Sequence, residues 1–520
     1  MSAADHQTNA AAPLFDMVVI GAGVNGAGIA RDAAGRGLSV LLCDKEDLAY
    51  GTSSRSGKLV HGGLRYLEYY EFRLVREALK EREVLLENAP HIIWPMRFVL
   101  PHNADLRPAW MIRAGLFLYD HLGGRRRLPG SRGLDLTACP EGKPLQSGYH
   151  KGFEYSDCWV DDSRLVVFNA MDARRYGAEV YPRTSCEHAR RDDGEWLVTL
   201  REAGTGFRRD VRARALVNAA GPWVDRVLQG ALEQGGGDRV RLVKGSHIVV
   251  PKPYVGEQAY LLQNSDKRVI FVNPYEGDKL LIGTTDIVYE GDPDEVSIDR
   301  EEVEYLCGVV SRYFHTPITP DDVVSAFSGI RPLFDDRAEN PSAVTRDYVF
   351  DIADDGGRAP LLSVFGGKIT TYRRLAEHAM ERLKPYFPDL GEAWTGARHL
   401  PGGDIADADF DTYFEGLEQC FPWVPASMLR RLARAYGTIT ERLLAGAGSL
   451  ADLGRHFGAD LYERELRYLI DDEWAANADD VAWRRTKLGL RLSDEELAAI
   501  DAWIADEYGL TVARSSAGER

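Results

Sequence analysis

Gly21-Ala22-Gly23-Val24-Asn25-Gly26 spells G-x-G-x-x-G directly after an apolar run at residues 15–20. In such a motif the first glycine permits a tight turn and the second lets backbone approach a pyrophosphate. The third allows a helix to pack close against a strand. The helix opening there supplies N–H groups and a favourable dipole for phosphates. Asp44, about twenty residues on, ends a second apolar run, where a carboxylate can accept hydrogen bonds from a ribose diol. The chemistry on offer is dinucleotide binding. The motif alone does not separate NAD from FAD.

Positioning these residues takes a β-turn-α-β unit. Residues 15–20 predict a buried strand, residues 27–35 an alanine-rich helix closed by Gly35 and Gly37, and residues 38–42 a second strand. Residues 72–88 have helical spacing, with Leu74, Ala78 and Leu85 near one face. Beyond Val180 strand patterns take over, at 195–200, 215–218 and 246–250. Two more, 269–272 and 279–282, flank an NPYEGD hairpin turn. Residues 361–365 read as another strand, followed by Gly366-Gly367 and a helix at 372–383. After Pro401-Gly402-Gly403-Asp404 the chain turns helical and charged, which predicts an appended all-helical domain.

The bulk properties exclude several classes. A chain of 520 residues has room for roughly two to four compact units. A formal net charge of −17 argues against nucleic-acid binding through phosphate neutralisation. The six cysteines (Cys43, Cys139, Cys158, Cys186, Cys307, Cys420) form no C-x-x-C and no metal-ligand spacing, so free thiols and no metal site are expected. The first thirteen residues lack the basic and apolar regions of a secretory signal. No apolar run approaches the length that spans a bilayer. The expectation is a soluble protein, or one that rests on a membrane surface without crossing it.

An NAD enzyme would continue after the second strand with further βαβ units. Here the chain enters a small, hydroxyl-rich loop, Gly51-Thr52-Ser53-Ser54-Arg55-Ser56-Gly57-Lys58. That composition suits a pyrophosphate and ribityl chain, and equally suits a surface loop. The segments IGAGVNGAGIARDAAGRG, TSSRSGKLVHGGLRYLEYYEFRLVREAL, GFEYSDCWVDDSRLV, VNAAGPWVD, KGSHIVVP, GTTD, SGIRPL, TRDY and FGGKITTYRRLAEHA follow in order. Together they closely resemble the FAD-dependent, respiratory glycerol-3-phosphate dehydrogenases of the D-amino-acid-oxidase-like flavoprotein superfamily. The resemblance runs from about residue 16 to the C-terminus. It departs at Asp44, where Glu is common, and at Arg55, where a small residue is usual.

The resemblance implies a mixed α/β and α+β fold. A Rossmann-like FAD-binding domain (14–90, 155–235 and 345–395) would interleave with a mainly antiparallel substrate or cap domain (91–154 and 236–344). An all-α C-terminal domain (396–520) would follow. Gly21, Ala22, Gly23, Asn25, Gly26 and Asp44 would hold one end of a non-covalent FAD. Thr52, Ser53, Ser54, Lys58, His61 and Gly62 would line its diphosphate and isoalloxazine. Ala219, Ala220 and Gly221 would pass the adenosine half, and Gly366, Gly367, Lys368 and Thr370 would close over the flavin.

A phosphorylated polyol calls for cations, and the family motifs offer Arg65, Arg331, Arg346 and Lys368, with a hydroxyl from Tyr66. Arg331 and Lys368 stand out because each adjoins glycine or proline in an apolar, strand-like context. A base working near neutral pH is most naturally a histidine. His247, alternating with apolar residues, is the first choice, and His61, flanked by glycine, suits cofactor packing better. The catalytic set is therefore His247, Arg331 and Lys368.

The resemblance implies oxidation of sn-glycerol 3-phosphate to dihydroxyacetone phosphate. No second redox centre is visible in the cysteine pattern, so the electrons must leave to something diffusible, and the resemblance implies that this is a membrane quinone. Residues 106–119 combine Trp, Phe and Leu, and Arg125-Arg126-Arg127 follow, a composition suited to anionic headgroups. Peripheral attachment to the cytoplasmic face of the cell membrane is expected. The C-terminal helices suggest packing or self-association, as in a homodimer. The alternatives are a glycerol-3-phosphate oxidase using oxygen, another amine or amino-acid oxidase of the superfamily, and a non-enzymatic flavin-binding interaction protein.

Overall fold

The computed structural model describes residues 12–103, 106–124, 127–235, 239–264, 266, 268–334 and 347–513. Leu14–Ile20 and Val40–Cys43 are the expected apolar strands, joined by the helix Val24–Gly35. Both strands are buried on two faces, as near-continuous apolar runs in parallel sheets are. They lie inside an eight-stranded sheet. Its order is Val349–Asp355, Arg358–Phe365, Arg208–Asn218, Leu14–Ile20, Val40–Cys43, Glu179–Tyr181, and Thr184–Asp192 and Glu195–Glu202 extend it as an antiparallel ribbon. Five neighbours in that order run parallel, from Arg358–Phe365 to Glu179–Tyr181. Their carboxyl ends therefore share one edge.

The second sheet has ten strands and is antiparallel apart from one parallel pair, Ala259–Gln263 with Ile93–His102. At its heart Val240–Pro251 pairs with Lys279–Gly283 on one side and Ser325–Phe334 on the other. The helix Arg300–Tyr313 covers one face with Leu306, Val309 and Val310. Strand signals dominate the sequence of that region, and no helix is predicted there. The helix was nonetheless signalled, by apolar residues at 303, 306, 307 and 310 and by an Asp299/Glu302 capping box.

The C-terminal region is helical, from Phe410–Cys420 to Asp494–Tyr508, with one exception: a two-stranded ribbon, His456–Gly458 with Leu461–Tyr462. Its apolar residues join the core of the parallel sheet rather than forming their own. Buried ion pairs cross the same boundary. Arg164 holds Glu473 through two hydrogen bonds, and Asp47 is gripped by Arg484 at 2.7 Å and by Arg485 at 2.9 and 3.0 Å. Burial alone would raise the Asp47 carboxyl, but the guanidiniums of Arg485, Arg484 and Arg183 outweigh it and hold the group well below the usual range.

His91 lies at the same boundary, fully buried and packed on Phe168 at 5.1 Å. Burial, followed by the charges of Arg164 and Arg434, lowers its imidazole to about 3. Its unfolded value is about 6.5, so the unfolded chain binds the extra proton first. The contribution of neutral His91 is complete above that value and is lost as pH falls towards about 3, at roughly 1.4 kcal/mol per pH unit. His91→Gln should flatten the urea-derived stability curve between pH 6.5 and 5 by about that slope. An unchanged slope would remove His91 from the account.

Candidate functional site

One continuous cavity of about 1420 Å³ runs along the shared carboxyl edge of the parallel strands and onto the face of the second sheet. The edge is where an open α/β sheet binds ligands, because loops diverge there and helix N-termini point at it. Leu14–Ile20 delivers Gly21, Gly23 and Asn25 to the wall, Val40–Cys43 delivers Asp44, and Arg208–Asn218 delivers Ala219, Ala220 and Gly221. Arg358–Phe365 delivers Gly366, Gly367, Lys368 and Thr370.

Latches tie these segments together. Gly21 has φ +104°, and a Cβ there would lie 2.6 Å from the Ala219 carbonyl oxygen. The Asn25 amide donates to the Gly366 carbonyl at 3.1 Å. Ser53 Oγ accepts the Val24 N–H at 3.0 Å, docking the hydroxyl-rich loop onto the helix start. The His61 N–H donates to Thr370 Oγ1 at 3.1 Å. Asp44 accepts the N–H groups of Ala22 at 2.6 Å and Glu46 at 2.9 Å, while burial raises its carboxyl to about 6. It remains ionised at pH 7 and has its edge on the cavity, as a ribose diol requires.

The second sheet supplies the opposite wall. Cross-strand pairs share a face, so His247, opposite Gly283 and Phe327, lies on the same side as Arg331, opposite Val243. Gly245 lies between them. A Cβ at Gly245 would meet the Arg331 guanidinium at 2.9 Å, which shows that this side chain leans back towards His247. Arg331 is bonded to Asp286, and to Thr284 Oγ1 at 3.3 Å, and stays 36% exposed to the cavity. His247 stacks on Phe327 at 5.0 Å, and its Nδ1 is buried without a partner. Burial, then Arg331 and Lys58, push the imidazole down to about 3. Lys368 Nζ is also buried without a hydrogen bond, 4.1 Å from the Tyr66 ring. Arg65, Tyr66, Thr52, Ser53 and His61 complete the expected wall residues.

Five expected cofactor residues stand behind the wall. Ala22 and Gly26 shape the turn and the helix start. Ser54 is buried in the loop. Lys58, expected among the residues along the diphosphate and isoalloxazine, turns inward, because its ammonium finds a counter-charge there: Asp162 at 2.9 and 3.1 Å, and the Ser54 carbonyl at 3.0 Å. Gly62, expected in the same group, packs against Leu79, its N–H donating to Tyr119 Oη at 2.7 Å. Arg346 lies outside the described residues.

Several wall residues escaped the sequence reading. Trp223, with a buried unpartnered Nε1 and the Lys45 ammonium over its ring at 4.7 Å, flanks the Ala219–Gly221 end. Thr284 and Asp286 belong to the GTTD segment, which carried no assigned role. Asn273 was read only as part of a hairpin turn. The glycine cradle, the start of the helix at the cavity wall, Asp44 and the unpartnered Asn25 Oδ1 fit an adenine dinucleotide.

Residues 16–373 match the family of FAD-dependent oxidoreductases. The chain belongs to that family. Its cofactor is FAD. Residues 393–514 of the flavoprotein match a second family, the C-terminal domain of alpha-glycerophosphate oxidase. It is 60% identical to a D-erythritol 1-phosphate dehydrogenase of Brucella abortus (strain 2308), over 94% of this chain and 97% of that one. It is 53% identical to an aerobic glycerol-3-phosphate dehydrogenase of Escherichia coli (strain K12), again over 94% and 97%. The structure of the Bacillus halodurans glycerol-3-phosphate dehydrogenase complexed with FAD aligns with a TM-score of 0.76 and 28% identity, covering 96% of this chain and 91% of that one. Among the described residues no helix is long and apolar enough to cross a membrane.

Proposed function

We propose that this flavoprotein oxidises the secondary alcohol of a short polyol phosphate, sn-glycerol 3-phosphate to dihydroxyacetone phosphate, and passes the electrons to a membrane quinone. The observation that carries the reading is that the cofactor cradle, His247, Arg331 and Lys368 open onto one cavity. Several cations suit a phosphate dianion, whereas an amino-acid oxidase needs one arginine and an apolar amine pocket. The Escherichia coli relative carries the glycerol phosphate substrate in its name. The Brucella relative, at 60% identity, is named for a four-carbon substrate, and that favours D-erythritol 1-phosphate as a second reading.

When bound, FAD supplies the acceptor for the electron pair and hydrogen that leave the substrate carbon. Arg331, with Lys368 and Arg65, holds the phosphate and orients the alcohol. His247 Nε2, beside Gly57, accepts the hydroxyl proton. The imidazole is neutral at pH 7 and so free to accept. A phosphate dianion beside Arg331 offsets the guanidinium charge and strengthens the base in the complex. His247→Asn should lower kcat by roughly 10²–10⁴-fold and keep the yellow flavin. Full turnover in that variant would transfer the role elsewhere, with His61 the next candidate.

The cavity continues past Arg65 and Tyr66 to the helix Ala109–Leu122, whose Met111, Ile112 and Leu118 join its wall. Trp110 is 70% exposed, and Phe117 on the same helix and Tyr70 are exposed too. We read this apolar rim as the peripheral membrane contact and the quinone's approach, on the cytoplasmic face. Of the basic cluster, Arg127 bonds to the Asp407 carbonyl, and Arg125 and Arg126 lie outside the described residues. Segments 14–90, 155–235 and 345–395 then form the cofactor-binding unit, which also lends Arg65 and Lys368 to the substrate, and 91–154 and 236–344 form the substrate-binding unit.

Anaerobic addition of glycerol 3-phosphate should bleach the flavin with one ketone formed per flavin. Quinone-loaded anionic vesicles should bind the protein and restore the colour faster than oxygen does. No bleaching, or bleaching by an amino acid instead, would defeat the substrate reading, and faster reoxidation by oxygen would make the protein an oxidase.

A further inference from the structure

Asn273 is a buried amide in the middle of a strand, 1% exposed, and it lines the cavity. Its Nδ2 donates to the Gly57 carbonyl at 3.3 Å, while its Oδ1 is buried and has no hydrogen-bond partner. A carbonyl on the Gly57 side settles which way the amide points, since the reverse would set oxygen against oxygen. A buried acceptor without a donor is destabilising, so a strand position that keeps one invites a donor from the cavity.

The neighbours identify that donor's place. Phe271 pairs with Gly283, which pairs with His247, so Phe271, Asn273 and His247 share one face of the sheet. Gly57 lies between the two polar groups, since its Cβ position is 3.5 Å from His247 Nε2 and its carbonyl holds Asn273. Arg331 joins this face on the far side of Gly245, away from Asn273. A polyol phosphate with its phosphate on Arg331 and its reacting hydroxyl on His247 therefore extends its remaining carbons towards Asn273. The groups those carbons carry are hydroxyls, which are donors.

We infer that Asn273 Oδ1 reads the hydroxyl end of the substrate distal to the phosphate, and that through it the site accepts a four-carbon polyol phosphate as well as glycerol 3-phosphate. The inference rests on the polyol-phosphate reading of the site. Asn273 is a specificity-determining contact, separate from the cations and the base.

Three substrates with the flavoenzyme test it: propane-1,2-diol 1-phosphate, which lacks a distal hydroxyl, glycerol 3-phosphate with one, and D-erythritol 1-phosphate with two. In the unaltered enzyme kcat/KM should rise about tenfold or more from the first to the second, one hydrogen bond's worth, and stay at or above that level for the third. Asn273→Leu should flatten the series to within about threefold. If the leucine variant does not hold flavin, Asn273→Ala should show the same flattening. A gradient that survives either substitution overturns the inference. So does an equal loss on all three substrates together with lost flavin, which marks a structural role. If the unaltered enzyme's flavin is bleached by none of the three, the polyol-phosphate reading itself fails, and that is a different result from a surviving gradient.

Discussion

Gly26→Ala is expected to give a protein that binds FAD at least about a thousandfold more weakly, purified without colour. A methyl group at Gly26 would sit on the Gly21 carbonyl oxygen, far inside van der Waals contact, with the Ala219 side chain behind it at 3.4 Å. Both obstacles near it are backbone or rigidly packed, so no rotamer change relieves the clash. The helix Val24–Gly35 must instead move off the strand Leu14–Ile20. Its N–H groups then leave the phosphate position, and Ser53 loses its bond to Val24. A thousandfold is about 4 kcal/mol, within the range of severe backbone clashes. Gly308→Ala is the control, because its Cβ meets nothing within 4 Å in the middle of a helix. The ratio of flavin to protein absorbance measures both. A fully yellow Gly26→Ala protein would show that the cradle is wrongly assigned.

Arg331→Met should lower kcat/KM for glycerol 3-phosphate by roughly 10²–10³-fold while the flavin spectrum stays as it was. Arg331 is held by Asp286 and Thr284, with its remaining donors turned to the cavity. Methionine keeps the stem and removes the fork, at a cost of about 2–5 kcal/mol for a lost partner of a hydrogen-bonded charge. It also leaves the Asp286 carboxylate facing the phosphate with nothing between them. Arg331→Lys should recover only part of the loss, since an ammonium restores charge without two parallel N–H donors. Values within threefold of the unaltered enzyme would place the phosphate elsewhere, with Lys368 and Arg65 as the remaining cations.

Much of the site was legible because its signals are local. Gly21, Gly23, Asp44 and the helix Phe72–Asn88 follow from short-range spacing, and the structure puts the first three on the cavity wall and the helix at its predicted bounds. The helix Tyr372–Leu383 also matches its predicted bounds, since Gly366-Gly367 before it punctuates the chain. Asn273 shows where such reading stops. In sequence it belongs to a turn-like NPYEGD, but the strand Val269–Tyr275 extends through it and carries it onto the cavity face. The hairpin partner Lys279–Gly283 was legible, but the length of the pairing was not: it runs on to Tyr275 opposite Lys279 and leaves only residues 276–278 for the turn.

The sequence by itself pointed to an adenine dinucleotide at a strand–turn–helix start, because that glycine turn is built from consecutive residues. Only the tertiary structure decided which side chains look into the cavity. Lys58 and Gly62, central to a recognisable motif, turn away, because a dry ammonium needs Asp162 and a bare glycine lets Leu79 approach. Thr284, Asp286 and Trp223 turn towards it. A side chain's direction depends on which distant strand lies beside it and which charge lies across from it, and those neighbours are chosen by packing.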